Sequence, residues 1–264
     1  MEETPIAAAI REFVDAGMLA GAVTLVWQEG KIRQADAIGW RDVERQLPMK
    51  RDTIFRIASM TKPITSTVAL MLHEEGRFAL DDPITQWAPE FAQLRVLLTP
   101  TGDLNQTEPA ARPITFNDLL THRSGLTYAD FQSGPIAQTY RDALGGDIDS
   151  ALSPDTWIAN LAALPLIDQP GAAFHYGHST DLLGFLIARI EDAPLGDVLK
   201  RRIFDPLGMQ DTGFTVPAEK ATRCAAPHGF DEAGQLCVLS SGPGNSFLAE
   251  RPAAMTYVSG GQGL

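Results

Sequence analysis

Ser59 and Lys62 form the chain's one Ser-x-x-Lys, at the point where Thr53-Ile54-Phe55-Arg56-Ile57, a strand-like segment, hands over to a helical pattern. Residues three apart share one face of a helix. A serine hydroxyl becomes a nucleophile only when a base takes its proton, and a lysine amine can assist only where burial or neighbouring charge disfavours its ammonium form. If the two side chains touch, they can carry covalent acyl transfer. At a helix N-terminus the dipole and free amides favour developing negative charge, so the Ser59 amide can help hold an oxyanion. Four residues alone also fit a helix cap beside a solvated lysine.

This chemistry needs a helix that starts close to Ser59. From Ala58 to about Glu75, Ile64, Val68, Met71 and Leu72 recur at helical spacing and Gly76 can stop the helix. Pro63 lacks an amide hydrogen and is tolerated only in a first turn, so this helix cannot begin much upstream of Ser59. Residues 5–17 predict an amphipathic helix through Ile6, Ile10, Phe13 and Val14. Two strands, Ala22 to Trp27 and Ile32 to Trp40, flank Glu29-Gly30-Lys31 as a hairpin.

Beyond Leu80, short helices alternate with Gly and Pro punctuation. Within this stretch, residues 124–150 read as a long surface loop. Further helices are predicted from Ser179 to Glu191 and from Leu195 to Phe204, and irregular sequence follows Gly213. The expected organisation is an N-terminal part over 1–78 with hairpin and nucleophile helix, a mainly helical domain over 79–205, and an irregular segment over 206–264.

Twenty-one basic against thirty-three acidic residues give a net charge of -12, which disfavours nucleic acid and anionic membranes as partners. No apolar run approaches the ~20 residues of a spanning helix, and the acidic start, Met1-Glu2-Glu3, lacks an export signal's basic residues. A cytoplasmic protein is expected. Cys224 and Cys237 are too few for a disulfide framework, and the five histidines have no H-E-x-x-H spacing. Neither a metal nor a cofactor is expected.

Context comes from a longer run, Phe55-Arg56-Ile57-Ala58-Ser59-Met60-Thr61-Lys62-Pro63-Ile64, which closely resembles the nucleophile segment of class C β-lactamase-like proteins and family VIII carboxylesterases. The resemblance extends through Leu119 to Leu126, Pro170 to Tyr176, Asp205 to Met209 and Ser259 to Leu264. It implies the α/β (α+β) fold of β-lactamases and penicillin-binding proteins, an antiparallel sheet flanked by helices plus a mainly helical domain. It also assigns Tyr176 as the tyrosine whose phenol exchanges a proton with the nucleophile. Where β-lactamases carry Tyr-x-Asn, this chain reads Tyr176-Gly177-His178, as in esterases that lack the asparagine. His178 is expected to line the substrate pocket, with a structural or solvated role as the alternative. His122 is read as a structural, hydrogen-bonding histidine, and His175 as shaping the loop before Tyr176.

The family's third motif should follow the glycine-rich residues 260–263, so the fold is expected without its C-terminal strands, and a complementary C-terminal segment or chain would complete it. The resemblance implies a carboxylesterase that takes a small-molecule ester on Ser59. A β-lactamase or D-amino-acid peptidase would use the same residues, and a non-catalytic ligand-binding homologue or an inactive fragment is the reading outside turnover. Gly177-His178-Ser179 suggests an α/β-hydrolase elbow, but Asp181 stands where the elbow needs glycine.

Overall fold

Helix α1 (Pro5–Asp15) begins where the Thr4 hydroxyl accepts the Ala7 amide, with Pro5 in the first turn, where its missing N–H costs nothing. It is the first element of a computed structural model that describes residues 4–146, 150–239 and 257–264. The chain divides into two compact units, Met1–Arg56 with Thr215–Arg251, and Ile57–Phe214 with Pro252–Leu264.

In the first unit α1 lies against strands β1 (Gly21–Gln28) and β2 (Lys31–Asp42). These pair antiparallel around the expected turn, and β3 (Leu47–Pro48) adds to β2. Of the strand expected over Thr53 to Ile57, only Ile54 pairs, in an isolated parallel bridge to Cys224. The irregular stretch expected after Gly213 contains a small hairpin, His228–Phe230 with Leu236–Val238. Its strands are three residues each, too short to leave a readable alternation. Neither cysteine is in a disulfide.

The second unit is built on α2 (Thr61–Glu74), which follows a short turn of helix, Ala58–Met60. After it come the strand pair β4 (Arg95–Leu97) and β5 (Thr107–Pro109), then α3 (Phe116–Leu120), α4 (Pro135–Leu144), α5 (Pro154–Ala163), α6 (Ser179–Glu191) and α7 (Leu195–Leu199). Both α2 and α3 pack on α6. Val68, Ala69 and Leu72 of α2 join Leu182, Leu183, Leu186 and Ile187 of α6 in one core with Phe91, Phe116 and Trp157. Each of the Val, Leu, Ile and Phe side chains contributes about 2 kcal/mol by leaving water. The nucleophile helix, expected with the hairpin, therefore groups with the helical unit.

Residues 124–150 are not the expected open loop. Ser124 to Ala129 are buried, and α4 buries Ile136, Ala137, Tyr140 and Leu144. Those four positions repeat at helical spacing, a signal masked by the surrounding Gly, Ser and Asp. The helix expected from Leu195 to Phe204 is α7 followed by a wider helical turn over Lys200–Phe204.

At the C-terminal end of α6, Glu191 accepts Arg202 at 2.9 Å, Arg201 at 2.6 Å and Arg77 at 3.1 Å, and Arg202 also reaches Glu75 at 2.7 Å. The Glu191 side chain is only 6% exposed. Hydrogen bonding from Arg202, opposed by burial and reinforced by Arg201, lowers its carboxyl to about 2. A depressed carboxylate adds stability above the ordinary glutamate value and loses it as pH falls toward the folded-state value, because the unfolded chain binds the proton first. Glu191→Gln is expected to cost about 1–2 kcal/mol at pH 7. In urea titrations that difference should shrink between pH 4.5 and about 2; a difference constant across this range would show that the carboxylate charge contributes nothing.

Candidate active site

Ser59 sits in the turn Ala58–Met60, two residues before the start of α2. Ala58, directly before it, has a left-handed backbone at φ +43°. For a residue with a Cβ this conformation costs about 1–2 kcal/mol, and it turns the chain sharply at the serine. Lys62 follows on the first turn of α2 and is only 8% exposed. Its Nζ donates to Ser59 Oγ at 3.2 Å and to the Gly261 carbonyl at 3.1 Å. The ammonium also lies 4.5 Å from the Tyr176 ring centroid and 5.4 Å from that of Tyr128, within reach of cation–π attraction.

Tyr176 arrives from 117 residues away, and its hydroxyl donates to Ser59 Oγ at 2.8 Å. The structure thus brings Ser59, Lys62 and Tyr176 together at proton-transfer distance. Backbone approach makes this possible: a Cβ on Gly177 would lie 2.3 Å from the Thr127 Cα, so only glycine admits the segment carrying Tyr176. The ring of His122 stacks on Tyr176 at 5.0 Å. His122 follows α3, whose start is fixed by a capping box between Thr115 and Asp118, with Arg112 gripping Asp118 through two hydrogen bonds. Its carbonyl accepts the His175 amide at 2.8 Å.

Burial, and then the Lys62 charge, lower His122 to about 4, so its imidazole is neutral near pH 7. Its buried Nδ1 has no hydrogen-bond partner among the described residues. Stacking, rather than the expected hydrogen bonding, is what the ring contributes here. His175 Nε2 meets Asp168 at 3.2 Å, which ties down the loop before Tyr176.

His178 is not a pocket residue. Its side chain is fully buried, its Nδ1 faces Asp181 at 3.1 Å, and the rings of Tyr128, Tyr140 and Trp157 surround it. The turn entering α6 points it inward. Ser179 is equally buried and shares a hydrogen bond with Ser124 Oγ at 2.8 Å, so no substrate carbonyl can reach it as an elbow nucleophile.

Three elements of the site were not anticipated: Tyr128, Asp181 and the Gly261 carbonyl. A signal for one existed. Asp181 falls beside Leu182 and four residues before Phe185, on the stripe of α6 that faces the core, where an unpartnered carboxylate would be costly. Tyr128 lay in the supposed loop, and a backbone carbonyl leaves no trace in side-chain pattern. Among the described residues no cluster of three or more His, Cys, Asp or Glu could hold a metal ion, and no helix is long and apolar enough to cross a membrane.

A family profile described as Beta-lactamase matches residues 6–254. The chain belongs to the beta-lactamase family. Among relatives in this family, Protein Rv1367c of Mycobacterium tuberculosis is 49% identical over 229 residues, 87% of this chain and 56% of its own length. Esterase EstB of Burkholderia gladioli is 37% identical over 211 residues, 80% of this chain and 50% of its own. The chain thus spans about half the length of the curated relatives it matches. Among solved structures, EstCE1, a hydrolase with promiscuous acyltransferase activity, superposes with TM-score 0.79 at 28% identity, covering 97% of this chain and 66% of that one. A penicillin-binding protein homologue from Pyrococcus abyssi gives 0.65 at 26% identity, over 96% of this chain and 52% of that one. The fold is that of β-lactamases and penicillin-binding proteins.

Proposed function

We propose that the protein is a serine hydrolase that cleaves carboxylic esters through an acyl-enzyme on Ser59. The observation that carries this reading is the pair of hydrogen bonds converging on Ser59 Oγ, from Lys62 and from Tyr176. In the first step the Lys62–Tyr176 pair carries one proton fewer, as a neutral amine or a phenolate; Oγ bonds to the ester carbonyl carbon and its proton passes to that base. Collapse of the tetrahedral species breaks the bond to the alcohol, which leaves with that proton. Water then attacks the acyl group and gives a proton to the same pair, the acid departs, and Ser59 recovers its hydrogen. The Ser59 amide, at the start of the helical run into α2, is one donor for the oxyanion. An alcohol in place of water gives acyl transfer by the same intermediate, a branch supported by the likeness to EstCE1.

Apolar substituents suit the surroundings of the serine. Met60, next to it in sequence, is 65% exposed, Phe131 is 64% exposed and Phe174 is 62% exposed. Phe131 meets the Tyr176 ring edge-on at 5.7 Å, and Phe174 packs on His122. Large apolar side chains left in water around polar reacting groups favour an apolar ligand. The lactamase alternative is weaker, because burial of His178 leaves no side chain in the asparagine position to meet a lactam's acylamino group.

A fluorophosphonate, which loses fluoride to an activated serine, tests this directly. Intact mass is expected to rise by one phosphonyl group, mapped to the peptide that contains Ser59. An unmodified protein, or an adduct confined to another serine, would sink the reading.

A further inference from the structure

Asp181 is heavily engaged, and none of the proton transfers above uses it. It is fully buried and accepts five hydrogen bonds. Oδ2 takes Tyr128 Oη at 3.0 Å and faces His178 Nδ1 at 3.1 Å. Oδ1 takes the Gly261 amide at 3.1 Å, Tyr257 Oη at 3.2 Å and the Ser259 hydroxyl. Burial pushes its carboxyl up, but His178, Ser259 and the charge of Lys62 outweigh that and hold it below the usual carboxylate range.

Three of these donors lead to Lys62. The peptide that gives its N–H to Asp181 belongs to Gly261, whose carbonyl receives Lys62 Nζ. Ser259 Oγ, while donating to Asp181, accepts the Gln262 amide at 2.9 Å and closes the turn on which that carbonyl stands. Tyr128 presents its ring face to the same ammonium. Space is tight as well: a Cβ on Gly261 would come within 3.0 Å of both Asp181 Oδ2 and Tyr128 Oη.

We infer that Asp181 is a positioning residue for Lys62, holding the 259–262 turn and the Tyr128 ring so that the amine is aimed at Ser59 Oγ. The inference rests on the hydrolase reading. A carboxylate without solvent is costly unless every lone pair is met, and a purely hydrophobic filling of similar volume would stabilise the fold at least as well. What the carboxylate adds is acceptance on both oxygens at once, which couples α6 to the turn and to Tyr128. An amide offers one acceptor, so Asp181→Asn must reverse or lose one set of donors while keeping the volume.

The test is a double-mutant cycle read through fluorophosphonate inactivation of Ser59, with the maximal rate and the probe's half-saturation separated. Asp181→Asn is expected to slow the maximal rate about 10- to 100-fold with half-saturation unchanged, as small misplacements of a reacting group do. In a Lys62→Met background the same substitution should change the rate less than about twofold, because its route is gone. Ser259→Ala, which removes one donor only, should slow the rate in the same direction and serves if Asp181→Asn does not fold. Equal slowing in both backgrounds, or no slowing in a folded variant, overturns the assignment of Asp181 alone. A wild-type protein that takes no label overturns the hydrolase reading itself.

Discussion

Lys62→Met is expected to lower the acylation rate about 10³-fold with little change in ester KM. Methionine nearly matches the stem in length and volume, so a side chain that is only 8% exposed is replaced without a cavity. What disappears is the amine that touches Ser59 Oγ at 3.2 Å and the Gly261 carbonyl at 3.1 Å. General acid–base partners are worth roughly 10²- to 10⁴-fold, and an amine that both shuttles a proton and places charge beside the Tyr176 ring belongs near the upper end. Because the Gly261 carbonyl loses its Lys62 donor, the variant is expected to lose about 1–3 kcal/mol of stability, well short of unfolding. Burst kinetics with a 4-nitrophenyl ester read acylation directly. A variant within tenfold of wild type would mean that Tyr176 alone activates the serine. Lys62→Arg should not rescue, since a guanidinium cannot give up its proton at working pH.

Tyr176→Phe is expected to lower the same rate about 10²- to 10³-fold. The ring keeps its stack on His122 and its edge contact with Phe131, so binding and fold should be preserved. Only the hydroxyl that donates to Ser59 Oγ at 2.8 Å is lost. On the proposed mechanism Tyr176 and Lys62 serve one proton, so the double variant should be little worse than Lys62→Met. Full additivity of the two losses would indicate that they act in separate steps. Circular dichroism and an unchanged urea midpoint would establish that the single variant is folded.

Much of the first half of the site was legible as pattern. A three-residue spacing puts two side chains on one helical face wherever that helix packs, and Pro63 restricts where the helix can start. The hairpin β1–β2 and helix α6 were legible for the same reason: their alternation and helical periodicity are local, and α6 has the predicted bounds of Ser179 and Glu191. Tyr176 was different. Nothing local marks it, and it entered through the family resemblance, because its partner stands 117 residues upstream. The helix α4 is hidden by polar punctuation around its buried stripe, and short pairings such as His228–Phe230 are below the length at which alternation speaks.

By itself, then, the sequence determined the spacing that brings Ser59 and Lys62 together and the family to which the chain belongs. Tertiary structure decided which way each remaining polar side chain points. His178, expected in the pocket, is turned into the core, while Asp181, set aside as an obstacle to an elbow, gathers five hydrogen bonds beneath Lys62. The physical reason is that a buried polar group must find its partners wherever the packed chain brings them. Those partners, Tyr128, Tyr257, Ser259 and Gly261, lie up to 80 residues away. Spacing along one element carries no information across that distance.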